Sequence, residues 1–191
     1  MVSLARRLSR PATRADLEAL PANEKGEIID GELYVQSRPM AGQSRVSTAL
    51  ALGLRRGGPD GDDDPPGWWI LAEPGIELAE APEIAPNLAA WRRERMPVIA
   101  PDDPITVVPD WICEVLSPSN RAYDRRVKFP FYARIGVEHL WVIDPPGRTV
   151  EIKQRFGTRW LDVASFAEDE TMRAEPFPAI ELRLSKLWLP R

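Results

Sequence analysis

The sequence predicts an α/β domain: a mixed central β-sheet flanked by helices, with additional β-hairpins. Three observations point there. The run from Pro109 to Asp144 reads strand, helix, strand, the pattern of a crossover between parallel strands. On either side of that unit, a two-residue turn and period-two alternation of apolar residues mark hairpins. Twenty prolines and twelve glycines in 191 residues divide the chain into short elements, which excludes a coiled coil or a long helical bundle.

Composition narrows the function classes. The length is that of one domain, and a hydrophobic content of 43% suffices for a substantial core. With 28% charged residues and a net charge of −4, the chain is neither a disordered polyion nor a strongly basic protein that coats nucleic acid. Contact with DNA requires a local basic patch. One cysteine, Cys113, excludes an intrachain disulfide and a multi-thiolate zinc site, and fits a reducing compartment. One histidine, His139, leaves carboxylates and lysine as the chemistry at hand. Apolar runs such as Leu50 to Leu54 fall far short of the ~20 residues that span a bilayer. The N-terminal MVSLARRLSRPATR has arginines but no apolar run of signal-peptide length, so a cytoplasmic location is expected.

The elements follow in order. Residues 1–12 read as a loose basic lead-in and 13–191 as a single domain. Thr13, with Asp16 three residues on, is an N-cap for a helix from Arg14 to Leu20, stopped by Pro21. EIIDGELYVQ, Glu27 to Gln36, carries Asp30-Gly31 between apolar runs and predicts a hairpin. Val46, Leu50 and Leu54 recur every four residues and predict an amphipathic helix from about Gln43 to Arg56. GGPDGDDDPPG, Gly57 to Gly67, lacks calcium-loop spacing and reads as a solvated loop. Strands are expected at Trp68 to Ala72, Gly75 to Leu78 and Asn87 to Arg92. Trp68-Trp69 reads as a dimer contact sooner than a base-stacking platform. The strand from Pro109 to Leu116 is apolar nearly throughout, hence buried on both faces. A helix from about Tyr123 to Ile135 follows, with Asp124 as N-cap and Gly136 as C-cap, and then the strand His139 to Asp144. Val150 to Phe156, Arg159 to Val163 and the alternating tail Ile180 to Leu189 complete the expected strands.

Glu114 is the one interior charge of its strand. A carboxylate there is costly to bury unless it is paired or binds a cation. Near the carboxyl end of a central strand, where open α/β sheets place their ligand crevice, it would have Ser117, Ser119 and the next helix around it. Lys128, four residues after Asp124 and on the same helix face, points to that crevice. A carboxylate and a lysine at a sheet end suit a metal ion and a phosphate. The bland readings are a structural pair of Glu114 with Arg121 or Arg125, and a solvated helix face for Lys128 with Arg121, Arg125 and Arg126. Arg92, Arg93 and Arg95 either contact phosphates or coat a loop. His139 reads as a strand-edge residue and Cys113 as core.

The run PDWICEVLSPSNRAYDRRVKFPFYARIGVEHLWVIDP, Pro109 to Pro145, resembles the small bacterial proteins named the putative restriction endonuclease family, of the PD-(D/E)XK nuclease superfamily. The matching residues are Glu114, Ser117, Ser119, Asp124, Lys128, Tyr132, Gly136, Val137, Trp141 and Asp144. EIIDGELYV and IAPNLAAW resemble the family's hairpin and P-D strand, so the likeness covers most of residues 13–160. It implies a restriction-endonuclease-like fold and a Mg²⁺- or Mn²⁺-dependent DNA endonuclease, in which carboxylates of neighbouring strands hold the ion and a lysine stabilises the transition state.

On that resemblance Glu114 and Asn87 are metal ligands, Lys128 is the electrostatic catalyst, and Ser117, Ser119, Asp124 and Tyr132 support them. Arg121, Arg125 and Arg126 would meet DNA, and double-strand cutting favours a homodimer. Two departures stand out. The usual lysine position, two residues after the acid, is Leu116, with Lys128 as replacement. The P-D aspartate is Asn87, which weakens a hard-cation site, so Glu73 or Glu77 is the expected rescue. Asp110 lies about 13 Å from Glu114 at roughly 3.3 Å per residue and does not serve. The alternative is a catalytically inactive homologue that binds nucleic acid or a protein.

Overall fold

The computed structural model describes residues 4–6, 8–37, 41–56 and 64–190. The solvated loop expected from Gly57 lies outside them as far as Asp63. The central sheet has six strands in the order β11-β10-β9-β8-β7-β4. These are β4 (Trp68–Ala72), β7 (Leu88–Arg92), β8 (Trp111–Val115), β9 (His139–Asp144), β10 (Thr149–Phe156) and β11 (Arg159–Ala167). Only β8 and β9 run parallel, as the crossover pattern requires, and the other neighbours are antiparallel. The sheet is therefore mixed, and β8 is buried at every residue.

A second sheet, of order β1-β3-β2-β6-β5, comprises β1 (Leu4–Arg6), β2 (Glu24–Ile29), β3 (Glu32–Ser37), β5 (Ile76–Leu78) and β6 (Ala81–Ile84). Its hairpin turns at Asp30 and Gly31, with φ of 53° and 77°, the left-handed pair that a two-residue primed turn demands. β1 pairs with β3 inside the stretch read as a loose lead-in, because three residues of extended chain can be fixed by an edge without any patterned run. β6 and β12 (Thr171–Ala174), of four residues each, are too short to stand out, while the tail expected as a strand from Ile180 to Leu189 supplies the second half of β13 (Phe177–Arg183), which pairs with β12, and then turns into a short 3₁₀ helix at Leu184–Lys186.

Helices cover both faces of the central sheet. α2 (Ala41–Arg56) buries Val46, Leu50 and Leu54 against Cys113, Val115 and Trp141, with Phe177, Leu182 and Leu187 closing the same core. Each buried Leu contributes about 1.5–3 kcal/mol. Trp111, Trp141 and Phe177 meet edge to face at 5.3–5.9 Å, which fills the centre of that layer. On the opposite face Ile112, Leu116, Leu140 and Val142 pack on Phe129, Phe131 and Tyr132, and the layer extends to Ile29 and Ile84 of the second sheet.

α1 (Arg14–Glu18) begins as expected at Thr13, whose N–H donates to Asp16 at 2.8 Å. Arg10 grips the same carboxylate with two hydrogen bonds and holds Asp16 well below the usual carboxylate range. The helix expected at Tyr123 to Ile135 is three segments in one: α3 (Arg121–Tyr123), a π-helical turn (Asp124–Lys128) and α4 (Phe129–Ile135). Asp124 is therefore not an N-cap; it lies inside the helix with helical φ and ψ, and Asn120 starts the helix instead. Gly136 does cap it, at φ 100°. No described helix is long and apolar enough to cross a membrane.

Candidate active site

Three elements meet where the two sheets adjoin. β8 contributes Glu114, β2 contributes Glu27, and the π turn contributes Lys128. The alternation along β8 turns Ile112, Glu114 and Leu116 to the α4 face, and Cys113 to the α2 face. Lys128 Nζ lies 2.8 Å from Glu114 Oε1 and 3.1 Å from Glu27 Oε1. The lysine and Glu114 side chains are 3% exposed and that of Glu27 is fully buried. The ammonium is thus the shared counter-ion of two carboxylates from different sheets. Burial lowers a lysine pKa, but the two carboxylates outweigh it and hold Lys128 above its ordinary value.

Each carboxylate has a tyrosine. Tyr132 Oη donates to Glu114 Oε1 at 2.7 Å, and Tyr123 Oη donates to Glu27 Oε2 at 3.0 Å. Glu27 also accepts from Ala85 N–H at 2.9 Å and from Gln36 Nε2 at 3.2 Å. Burial opposes ionisation of Glu27, yet Lys128 and Lys25 prevail and its pKa is lowered.

Both tyrosine rings stand 5.9 Å from Lys128 Nζ. The wide turn makes this convergence possible. Residues 123 and 128, five apart, would lie about 140° apart around a regular α-helix at 3.6 residues per turn. In the π turn Phe129 N–H reaches back to Asp124 O, and the wider winding brings Lys128 round towards Tyr123. Pro130, which has no N–H to give an α-helix, lies two residues past this turn, in the first turn of α4.

Asp124 lies beside the cluster, 1% exposed, and neither carboxylate oxygen has a hydrogen-bond partner among the described residues. Burial, assisted by Glu114 and Glu27 and partly offset by Lys128, raises its pKa to about 8. The shift favours the protonated carboxyl beside the Glu27–Lys128–Glu114 bridge.

Other expected residues stand elsewhere. Asn87 lies opposite Glu114 in the β7–β8 register, but its Oδ1 accepts from Val115 N–H at 2.8 Å and so is bound to the sheet. Ser117 and Ser119 hydroxyls bond one another at 2.9 Å, and Ser117 bonds Asn120 Oδ1; they shape the loop into α3. Arg121 holds Asp144 at 2.7 Å and Arg125 holds Glu151, so neither is the partner of Glu114. Arg126 is exposed on the same helix.

Glu73 is exposed at a turn, and Glu77 pairs with Arg14, so neither joins the cluster. Asp110 accepts from Arg95 at 2.7 Å and from Arg92 N–H at 2.9 Å, an ion pair at the far end of β8. Arg93 stacks on Trp69 at 3.9 Å and Arg92 on Trp68 at 5.2 Å, which accounts for the basic set as packing. His139 opens β9, buried, where burial lowers its pKa.

Sequence reasoning missed Glu27 and Tyr123. Glu27 and Ile29 share one face of β2, and Ile29 is core, so alternation around Ile29 was the available signal. Tyr123 gave no signal, because the π turn that aims Lys128 towards it is not coded by any periodicity.

The two carboxylates are oxygen donors of the class that hard cations take, and the ammonium of Lys128 already stands between them. Glu27 and Glu114 face one another across a single ammonium, and Mg²⁺ binds through one or two carboxylates with water and phosphate completing its shell. Among the described residues no three His, Cys, Asp or Glu are grouped to hold a metal ion, so such an ion would rest on two acids.

Residues 14–185 match the model of the Uma2 family, described as putative restriction endonuclease. No curated protein gives a significant match. Among solved structures, the fold resembles that of a putative nuclease belonging to DUF820 from Anabaena variabilis, with a TM-score of 0.70, 19% identity, and coverage of 93% of this chain and 97% of that one.

Proposed function

Because the chain belongs to the Uma2 family of putative restriction endonucleases, we propose that it is a Mg²⁺- or Mn²⁺-dependent DNA endonuclease acting through Glu27, Glu114 and Lys128. The observation that carries this reading is Lys128 bridging two buried carboxylates, one from each sheet. Glu27 and Glu114 would hold the ion, which when bound supplies a nucleophile near neutral pH and neutralises phosphate charge. Lys128 stabilises charge that develops on the scissile phosphate. Tyr132 and Tyr123 keep the two carboxylates from turning away. Arg126 and its neighbours on the outer helix face meet the DNA backbone, and a two-fold homodimer sets one site on each strand.

One observation favours a second reading, an inactive homologue that binds nucleic acid. Asn87 offers no charge where the family has aspartate, and its amide oxygen is committed to Val115. Plasmid nicking in Mg²⁺ and in Mn²⁺ separates the two. Cleavage by the native chain that disappears in Glu114→Ala and in Glu27→Gln supports the nuclease. A silent native chain with an active Asn87→Asp variant supports the inactive homologue, and silence throughout rejects catalysis by this cluster.

A further inference from the structure

The two outer strands of the central sheet are treated differently. On β4, Ile70 N–H donates to Asp64 at 3.2 Å, Trp68 packs on Phe177 at 5.1 Å and Trp69 Nε1 donates to Met96 O. The tryptophans read from the sequence as a dimer contact are thus used within the chain. The other outer strand, β11, is nine residues long and leaves Leu161 51% and Val163 50% exposed, with Phe156 of β10 71% exposed beside them. A long apolar edge of this kind is a template for another strand.

The hydrogen-bond phase of β11 restricts what can pair with it. Glu168 N–H donates inward to Arg148 O at 2.9 Å, while Ala167 N–H turns outward to Glu170 at 2.6 Å. By alternation Ala167 and Ser165 are the outward residues beyond Val163. The β10–β11 register slips by one at Val163, so before it the outward residues are Trp160 and Asp162.

In an antiparallel pair, residues that exchange hydrogen bonds must both point outward. A two-fold axis between Val163 and Ala164 meets this condition. It sets Asp162 against the partner's Ser165 as the pair that exchanges hydrogen bonds, while Ala167, whose outward N–H and C=O are both engaged by Glu170, lies opposite the partner's Trp160 without exchanging any. It also lays Leu161 on the partner's Phe166, apolar on apolar, and brings Arg159 to the partner's Glu168, a half-exposed carboxylate that already holds Arg148 at 3.4 Å and would be shared between two cations.

From this edge we infer that a second copy of the chain docks antiparallel on β11, joining the two six-stranded sheets into one. The surface does not depend on the nuclease reading, and its test uses no activity. Sedimentation equilibrium of the full chain is expected to give a dimer, with Leu161→Lys and Val163→Lys monomeric at concentrations where the native chain is paired and with native thermal unfolding. Arg159→Glu, a change at an exposed position, should weaken the dimer, and adding Glu168→Arg should restore it. A monomeric native chain, or a dimer that Leu161→Lys and Val163→Lys leave intact, overturns the proposal. Failure of the charge swap to restore pairing overturns the register.

Discussion

Asp124 shows how one buried group can be tuned by its neighbours. Loss of hydration raises its pKa from 3.8 to about 8, Glu114 and Glu27 push in the same direction, and Lys128 pulls back without prevailing. The folded chain therefore keeps a proton that the unfolded chain releases near pH 4. Its contribution to stability is complete below the unfolded value and is lost as pH rises towards 8. Asp124→Asn removes this titration, so its unfolding free energy should fall less between pH 5 and pH 8 than that of the native chain. Urea titrations at the two pH values measure the difference, and equal slopes for both chains would remove the assignment.

The helix between β8 and β9 is the element on which the site depends. Its first turn starts at Asn120, its π turn widens the winding, and Gly136 ends it in the left-handed region at φ 100°. A Cβ added at Gly136 meets nothing within 4 Å, so the penalty of Gly136→Ala is purely conformational. A loss of about 1 kcal/mol is expected, with Gly136→Asn milder because asparagine tolerates the left-handed region better. Chemical denaturation of the two variants checks the order, and an Asn variant less stable than the Ala variant would contradict it.

For the whole molecule, the cluster is a joint as well as a site. Glu27 belongs to the five-stranded sheet and Glu114 to the six-stranded one, and Lys128 ties them through its helix. Replacing it by methionine leaves two carboxylates buried without their cation. Lys128→Met should cost about 3–5 kcal/mol, and adding Glu27→Gln should return part of that loss, since the penalty lies in the orphaned charge. Equilibrium unfolding of both variants tests this. A single variant as stable as the native chain would mean that the pair contributes nothing to holding the sheets together.

Sequence alone determined the local units. The crossover from β8 to β9, the Asp30-Gly31 hairpin, the Val46-Leu50-Leu54 face and the Gly136 stop are each written in neighbouring residues, because turns, caps and periodic burial are short-range effects. Glu114, Lys128 and Tyr132 were legible for a related reason: a charge inside an apolar strand stands out, and the residues after it carry the family resemblance. Only the tertiary structure brought Glu27 to Lys128, across about a hundred residues of chain. It also bound Asn87 to Val115 and turned Asp124 from a helix cap into a buried acid. Those outcomes depend on how two sheets and a widened helical turn pack together. Long-range packing of that kind leaves no period in the sequence.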